Sequence, residues 1–188
     1  MRVEIYQEAG YEHAARAVRL SRRSQGQSDS TGAVLGPADR ELFKKLLSAD
    51  DTVDGQPHSV GLRQVVFWIG VKAPLYWWKQ MDRYVVGKDQ ASDSTMYNLM
   101  NEPLAMSDFA EGVNIATVFL VNHYVEAGDF ARANANLPIS YLQERSLMIS
   151  LPPLRRIISQ RKNHKLPEWR FFVEEILNQA MYPDLLGG

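Results

Sequence analysis

The sequence predicts an α/β fold, a small sheet with flanking helices in one domain, and three observations carry that reading. Residues 64–71 (QVVFWIGV) are β-branched and aromatic without a helical period, which reads as a buried strand. Toward the other end Trp169, Phe172, Val173, Ile176, Leu177 and Ala180 follow the i, i+3, i+4, i+7, i+8, i+11 stripe of a packed amphipathic helix. The chain has 188 residues, 45% of them hydrophobic, enough for one domain with a buried core.

Taken in order, residues 1–6 alternate as a short strand, and residues 11–20 (YEHAARAVRL) place apolar groups at helical spacing. Residues 21–37 (SRRSQGQSDSTGAVLGP) are rich in Ser, Gly and Gln and bury too little apolar surface to order alone, so they read as a mobile loop. Pro37 suits a helix first turn, and Leu42, Phe43, Leu46 and Leu47 share one face of a helix ending near Ser48. Residues 50–57 are loop. After the strand at 64–71, Pro74 opens a helix through Trp77, Trp78 and Met81 to Val85, followed by a polar stretch over 87–95. Residues 113–127 form a long apolar helix, with Gly128 at the position that commonly closes one. A second strand spans 147–151 and stops at Pro152-Pro153, residues 154–160 are helical, and Pro167 starts the last helix.

Composition narrows the function. The formal net charge is −1 and the pI about 6.4, which argues against a nucleic-acid or membrane-surface partner, since both call for a basic excess. With no cysteine there is no disulfide, thiolate metal site or cysteine nucleophile. The first eight residues hold no apolar stretch, and the apolar runs at 65–71 and 115–121 fall short of the roughly 20 residues of a spanning helix. The expectation is a soluble, cytoplasmic protein.

Three constellations carry candidate chemistry. Lys79, Gln80, Asp82 and Arg83 follow the strongest strand, and the three-residue spacing puts Gln80 and Arg83 on one helix face. A guanidinium there forks onto a phosphate or carboxylate while the amide reads a ring edge; the same residues also fit a solvated helix side. Arg155, Arg156, Arg161, Lys162, His164 and Lys165 make a local positive field suited to phosphate, or offset a helix dipole. Trp68, Tyr76, Trp77 and Trp78 fit a ring-stacking surface, a core or a subunit interface. His123, inside an apolar helix, reads as a core residue, and His164 has no second ligand at metal spacing. No Ser-His-Asp order, Walker loop or GxGxxG motif is present.

The order of these pieces resembles the flavin-dependent thymidylate synthases. In QVVFWIGVKAPLYWWKQMDRYVVG a strand ends in a VKAP turn and leads into a helix with the Q-x-x-R of that family's Q-x-x-R-H-R. His58, six residues before Gln64, falls where the family has a histidine; Leu137-Pro138 resembles its LPL segment, and RKNHKLPEWRFFVEEI resembles its LRxDxxAQWEIR helix. The similarity covers residues 56–98 and 137–181. The chain is also similar to phage-encoded relatives sharing the phrases PLYWWKQ, STM and RKNHKL-EWR, which implies a phage or prophage origin.

The resemblance implies a flavin-dependent thymidylate synthase-like fold, a homotetramer with pockets at subunit interfaces, and a pyrimidine nucleotide of the dUMP type held by Gln80, Arg83, Ser94 and Arg161. In that family a reduced flavin delivers hydride and a folate the carbon, so no protein nucleophile is required. The chain departs from the signature R-H-R-x-x-S-x-N-x-x-S-x-R where the flavin is gripped. Arg83 stands first, but Tyr84 and Val85 replace the histidine and second arginine. Asp89 or Gln90 stands in the asparagine region, Ser92 or Ser94 serves as the serine only with one inserted residue, and no arginine follows. FAD binding is therefore expected to be weak or absent unless His58, Lys88 and Arg156 take over as cofactor or phosphate contacts. Two functions follow: pyrimidine methyl or hydroxymethyl transfer, or a non-catalytic, anti-defence phage protein that sequesters a host signalling nucleotide. No metal is implied.

Overall fold

The computed structural model describes residues 1–50 and 59–187. Its elements are β1 (Arg2–Ala9), α1 (Tyr11–Arg19), α2 (Pro37–Asp50), β2 (Val66–Pro74), α3 (Leu75–Met81), β3 (Lys88–Ser92), α4 (Thr95–Asn98), α5 (Ile115–Glu126), α6 (Phe130–Ala135), β4 (Leu142–Ser150), α7 (Leu151–Arg161) and α8 (Pro167–Gln179). The strands form one sheet in the order β1-β2-β4-β3. Its pairing is antiparallel, because the residue after β2 bonds to the one before β4 (Leu75 N–H to Tyr141 O) and the residue after β4 bonds to the one before β2 (Leu151 N–H to Val65 O). The expected α/β class holds.

The elements differ from the sequence reading where polar residues form strands. β4 starts five residues before the expected strand, because Gln143 alternates inward with Leu147 and Ile149 along the period of two. β3, of sequence KDQAS, lies in the stretch read as polar loop; it is an outer, mostly exposed strand, where polar residues cost little. α3 ends at Met81 rather than near Val85, and Val85 and Val86 are 72% and 64% exposed. The following turn depends on Gly87, whose φ of +67° and whose approach to Pro153, 2.7 Å from a built Cβ, leave no room for a side chain.

Two compact units divide the chain. The first comprises residues 1–3, 70–84 and 90–146, the second residues 4–69, 85–89 and 147–188. In the first, Trp77 and Trp78 are 0% and 1% exposed and meet edge to face at 4.8 Å. Of the stacking, core and interface readings open to these tryptophans in the sequence, the core reading is the one the structure gives, so they form no exposed interface patch. Trp78 is fixed by its Nε1–H bond of 3.0 Å to Gln143 O, as a buried indole requires a partner. Val121 and Val125 of α5 pack with Leu99 and Ala133, while Ile115, Phe119 and Leu120 of the same helix face outward. His123 is exposed rather than buried, because it lies off the Val118–Val121–Val125 stripe.

The second unit buries Phe43 and Leu47 of α2, Leu154, Ile157 and Ile158 of α7, and Trp169, Phe172, Val173 and Ile176 of the expected α8 stripe. Leu177 and Ala180 are half-buried, and Ala180 lies past the helix end. Its segment 21–37, read as a mobile loop, carries two short 3₁₀ turns and is tied to a buried acid. Asp39 Oδ2 accepts from Ser28 Oγ at 2.6 Å, Ser30 Oγ at 2.7 Å and the Asp29 and Ser30 amides, while Oδ1 accepts Arg19 Nε at 2.7 Å. Asp29 in turn accepts the Ala38 and Asp39 amides at the start of α2, supplying two of that helix's orphan donors with an acceptor.

Candidate functional site

In the first unit α3 delivers Gln80 in its last turn and Arg83 two residues past its end. Gln80 is half-buried, its carbonyl accepting the Arg83 amide at 3.3 Å. Arg83 is exposed, and its guanidinium makes no hydrogen bond or ion pair among the described residues. The preceding Asp82 differs: its Oδ1 accepts Arg145 Nη1 at 2.8 Å and Gln90 Nε2 at 2.9 Å. Arg145 is held in turn by the Trp78 ring, 4.4 Å from the guanidinium carbon, and by Gln143 Oε1 at 2.9 Å from its Nε.

Ser94 sits just before α4 and accepts the Tyr97 and Asn98 amides through its carbonyl, while its hydroxyl makes no capping bond. Beside it, Asp93 is anchored to β4 by its amide to Glu144 O at 3.0 Å and by Gln143 Nε2 to its carbonyl at 3.1 Å. Asp93 Oδ1 is buried with no hydrogen-bond partner among the described residues. Burial, aided by the Glu144 charge, pushes its pKa above the usual carboxylate range against the opposing Glu144 amide and Lys72. Tyr141 is raised as well, first by burial and then by Asp93 and Asp108.

The other sequence-predicted residues lie in the second unit. Arg161 ends α7, with its guanidinium carbon 4.6 Å from the centre of the buried Trp169 ring. Arg156 is exposed mid-helix, and Lys88 opens β3 half-buried. His58 lies outside the described residues. Arg156, Lys162 and Lys165 are exposed without an ion pair among the described residues. Nearby, the pKa of His164 is lowered first by burial and then by the charges of Arg161, Arg170 and Lys165. His164 Nδ1 accepts the Leu166 amide at 3.1 Å, so its ring shapes the turn into α8. Among the described residues no group of three or more His, Asp or Glu is placed to hold a metal.

Geometry thus brings Gln80, Arg83 and Ser94 into one unit and Lys88, Arg156 and Arg161 into the other. Two concavities, of about 370 and 280 Å³, are lined respectively by Arg16, Gln25, Gly26, Ser28 and Ser30 and by Leu35, Pro37, Arg40, Glu41 and Lys44. None of the six predicted residues lines either, and both are shallow surface features. At the position of the family's flavin grip, Tyr84 is half-buried and Val85 exposed, and neither supplies charge to a diphosphate. That donor set does not fit a flavin held in the family's manner. Sequence reasoning missed the Asp82–Arg145–Gln90 tie, for which no local pattern gives a signal: Asp82 and Arg145 are 63 positions apart.

No protein-family model and no curated protein matches the sequence. Solved structures do. A flavin-dependent thymidylate synthase ThyX from Helicobacter pylori, complexed with FAD and dUMP, is 17% identical with a TM-score of 0.78 over 99% of this chain and 98% of that one. A second structure of that enzyme, also with FAD and dUMP, gives 18% identity and a TM-score of 0.77 over the full length of both. A UMP/dUMP methylase, PolB from Streptomyces cacaoi, bound with 5-Br dUMP, gives 13% identity and a TM-score of 0.66 over 94% and 88% of the two chains. The fold of this chain is that of the flavin-dependent thymidylate synthases, kept from end to end at a sequence identity below one in five.

Proposed function

We propose that the protein binds a phosphorylated pyrimidine nucleotide of the dUMP type. Arg83 and Arg161 hold the phosphate, Gln80 reads the base edge and the Ser94 hydroxyl supplies a further contact. The observation that carries this is Arg83: exposed, unpaired among the described residues, and next to a carboxylate already engaged elsewhere. A guanidinium with no internal partner is available to an external anion, which it meets as a planar fork. The likeness to enzymes solved with dUMP or 5-Br dUMP supports the choice of nucleotide. In catalytic form the protein transfers a methyl or hydroxymethyl group to the pyrimidine. Tyr84 and Val85 stand where a flavin diphosphate held in the family's manner would need cations.

That same substitution supports a second reading. A phage protein that kept a nucleotide site and lost the redox grip would sequester a host signalling nucleotide in the host cytoplasm. Calorimetric titration with mono-, di- and cyclic nucleotides decides between them. Preference for dUMP supports the pyrimidine transferase, preference for a cyclic nucleotide supports sequestration, and absence of any binding removes both.

A homotetramer is part of this proposal, and of its contact surfaces the tryptophan helix is one the structure does not favour. Since Trp77 and Trp78 are buried within the chain, α5 is the better surface: Ile115, Phe119 and Leu120 are 54%, 66% and 41% exposed on a helix apolar on both sides.

A further inference from the structure

Asp82 and Arg83 are adjacent in sequence and opposite in charge, yet they form no ion pair. The Asp82 carboxylate faces Arg145, and Arg145 is held so that it stays there. Its side chain is only 13% exposed, its guanidinium carbon lies 4.4 Å from the centre of the Trp78 ring and its Nε donates to Gln143 Oε1. A guanidinium fixed by two contacts loses little freedom in making a third. The pair it forms with Asp82 is close to neutral when seen from a few ångströms away, so the Asp82 charge is largely offset before it reaches Arg83.

We infer that Arg145, without touching the ligand, sets the strength of phosphate binding at Arg83 by masking the Asp82 carboxylate. The inference rests on the proposed nucleotide reading and deepens it. Removing Arg145 exposes a negative charge one residue from the anion-binding arginine, where it repels a phosphate and competes for the Arg83 guanidinium. Removing Asp82 instead leaves a second positive charge beside the site. Removing both restores the original balance. Charge alone therefore orders the four proteins, and loss of a structural contact does not produce that order.

The test is calorimetric titration of dUMP, with deoxyuridine as the phosphate-free control, against wild type, Arg145→Gln, Asp82→Asn and the double variant. Arg145→Gln should weaken dUMP binding roughly three- to tenfold, the size of a partly screened charge at this range. Asp82→Asn should tighten it, the double variant should return close to wild type, and deoxyuridine should respond to none of them. A double variant as weak as Arg145→Gln, or an Asp82→Asn variant weaker than wild type, would overturn the inference. A second measurement needs no nucleotide. The Arg83 Nε–H resonance, assigned by its loss in Arg83→Lys, should move in Arg145→Gln and return in the double variant. An Arg83 signal unmoved by Arg145→Gln overturns the masking whatever dUMP does. Wild type that fails to bind dUMP, with the Arg83 signal behaving as expected, overturns the nucleotide reading alone.

Discussion

At the residue scale, Asp39 and Asp93 show burial acting on a carboxylate with and without compensation. Burial works to raise the pKa of Asp39, but hydrogen bonds from Ser28, Ser30 and Arg19, with the Arg19 charge, outweigh it and hold the group at about 2. Its folded pKa thus lies below the ordinary value of 3.8, so its contribution to stability is present above that value and is lost as pH falls toward 2. Asp39→Ala leaves the nearly buried Arg19 without its partner and should cost about 2–4 kcal/mol by urea denaturation at pH 7. An unchanged midpoint would contradict the latch. Asp93 has the opposite sign. With its pKa raised mainly by burial, the ionised form costs stability at neutral pH, and that cost fades as pH falls through the folded pKa. Asp93→Asn should therefore raise Tm at pH 7, with the gain shrinking as the protein is acidified; a pH-independent loss would show that the carboxylate is needed. Neither role was legible in the sequence, where Asp39 is one acid in a helix first turn and Asp93 one in a polar stretch. Their behaviour is set by chain brought in from elsewhere, as when Glu144 supplies an amide to Asp93.

At the element scale, the reading succeeded where periodicity and burial coincide and failed where polar residues take structural roles. β2, α5 and α8 are apolar runs or stripes, and each was visible. β3 and the first half of β4 were not, because KDQAS and LQERS carry no apolar alternation and their pairing comes from the neighbouring strand. The α3 aromatics were recognised as a set whose surface, core and interface readings stayed open, because helical spacing alone does not say which neighbour covers a face. Trp78 is covered by β4 through both its indole bond and the Arg145 stack. Trp78→Ala should cost about 3–5 kcal/mol, whereas Trp78→Phe keeps much of the packing and loses mainly the bond to Gln143. Chemical denaturation of both variants checks the order, and equal, small losses would contradict the buried assignment.

At the scale of the whole molecule, the resemblance read in two segments extends over the entire fold, including the α5 region that the sequence phrases did not cover. Packing accounts for this: a core tolerates wide exchange of apolar residues provided volume and pattern are kept. Among the described residues, Ile115, Phe119 and Leu120 give α5 an exposed apolar face. If the proposed tetramer forms through that face, Phe119→Glu should give smaller species than wild type in light scattering at micromolar concentration, and a monomeric wild type would contradict the proposed assembly. Of the candidate site, the residue types were legible and the electrostatics were not, since nothing in the sequence shows that Arg83 is left unpaired while Asp82 is engaged. The central claim is that Arg83 and Arg161 bind the phosphate of a pyrimidine nucleotide, and calorimetric titration of dUMP into wild type, Arg83→Lys, Arg83→Ala and Arg161→Ala addresses it directly. Each alanine variant should lose about 1.5–3 kcal/mol of binding free energy, and Arg83→Lys, which keeps the charge without the fork, should recover only part of that loss. If wild type binds dUMP and both alanine variants bind it equally well, the phosphate is held elsewhere and the account fails.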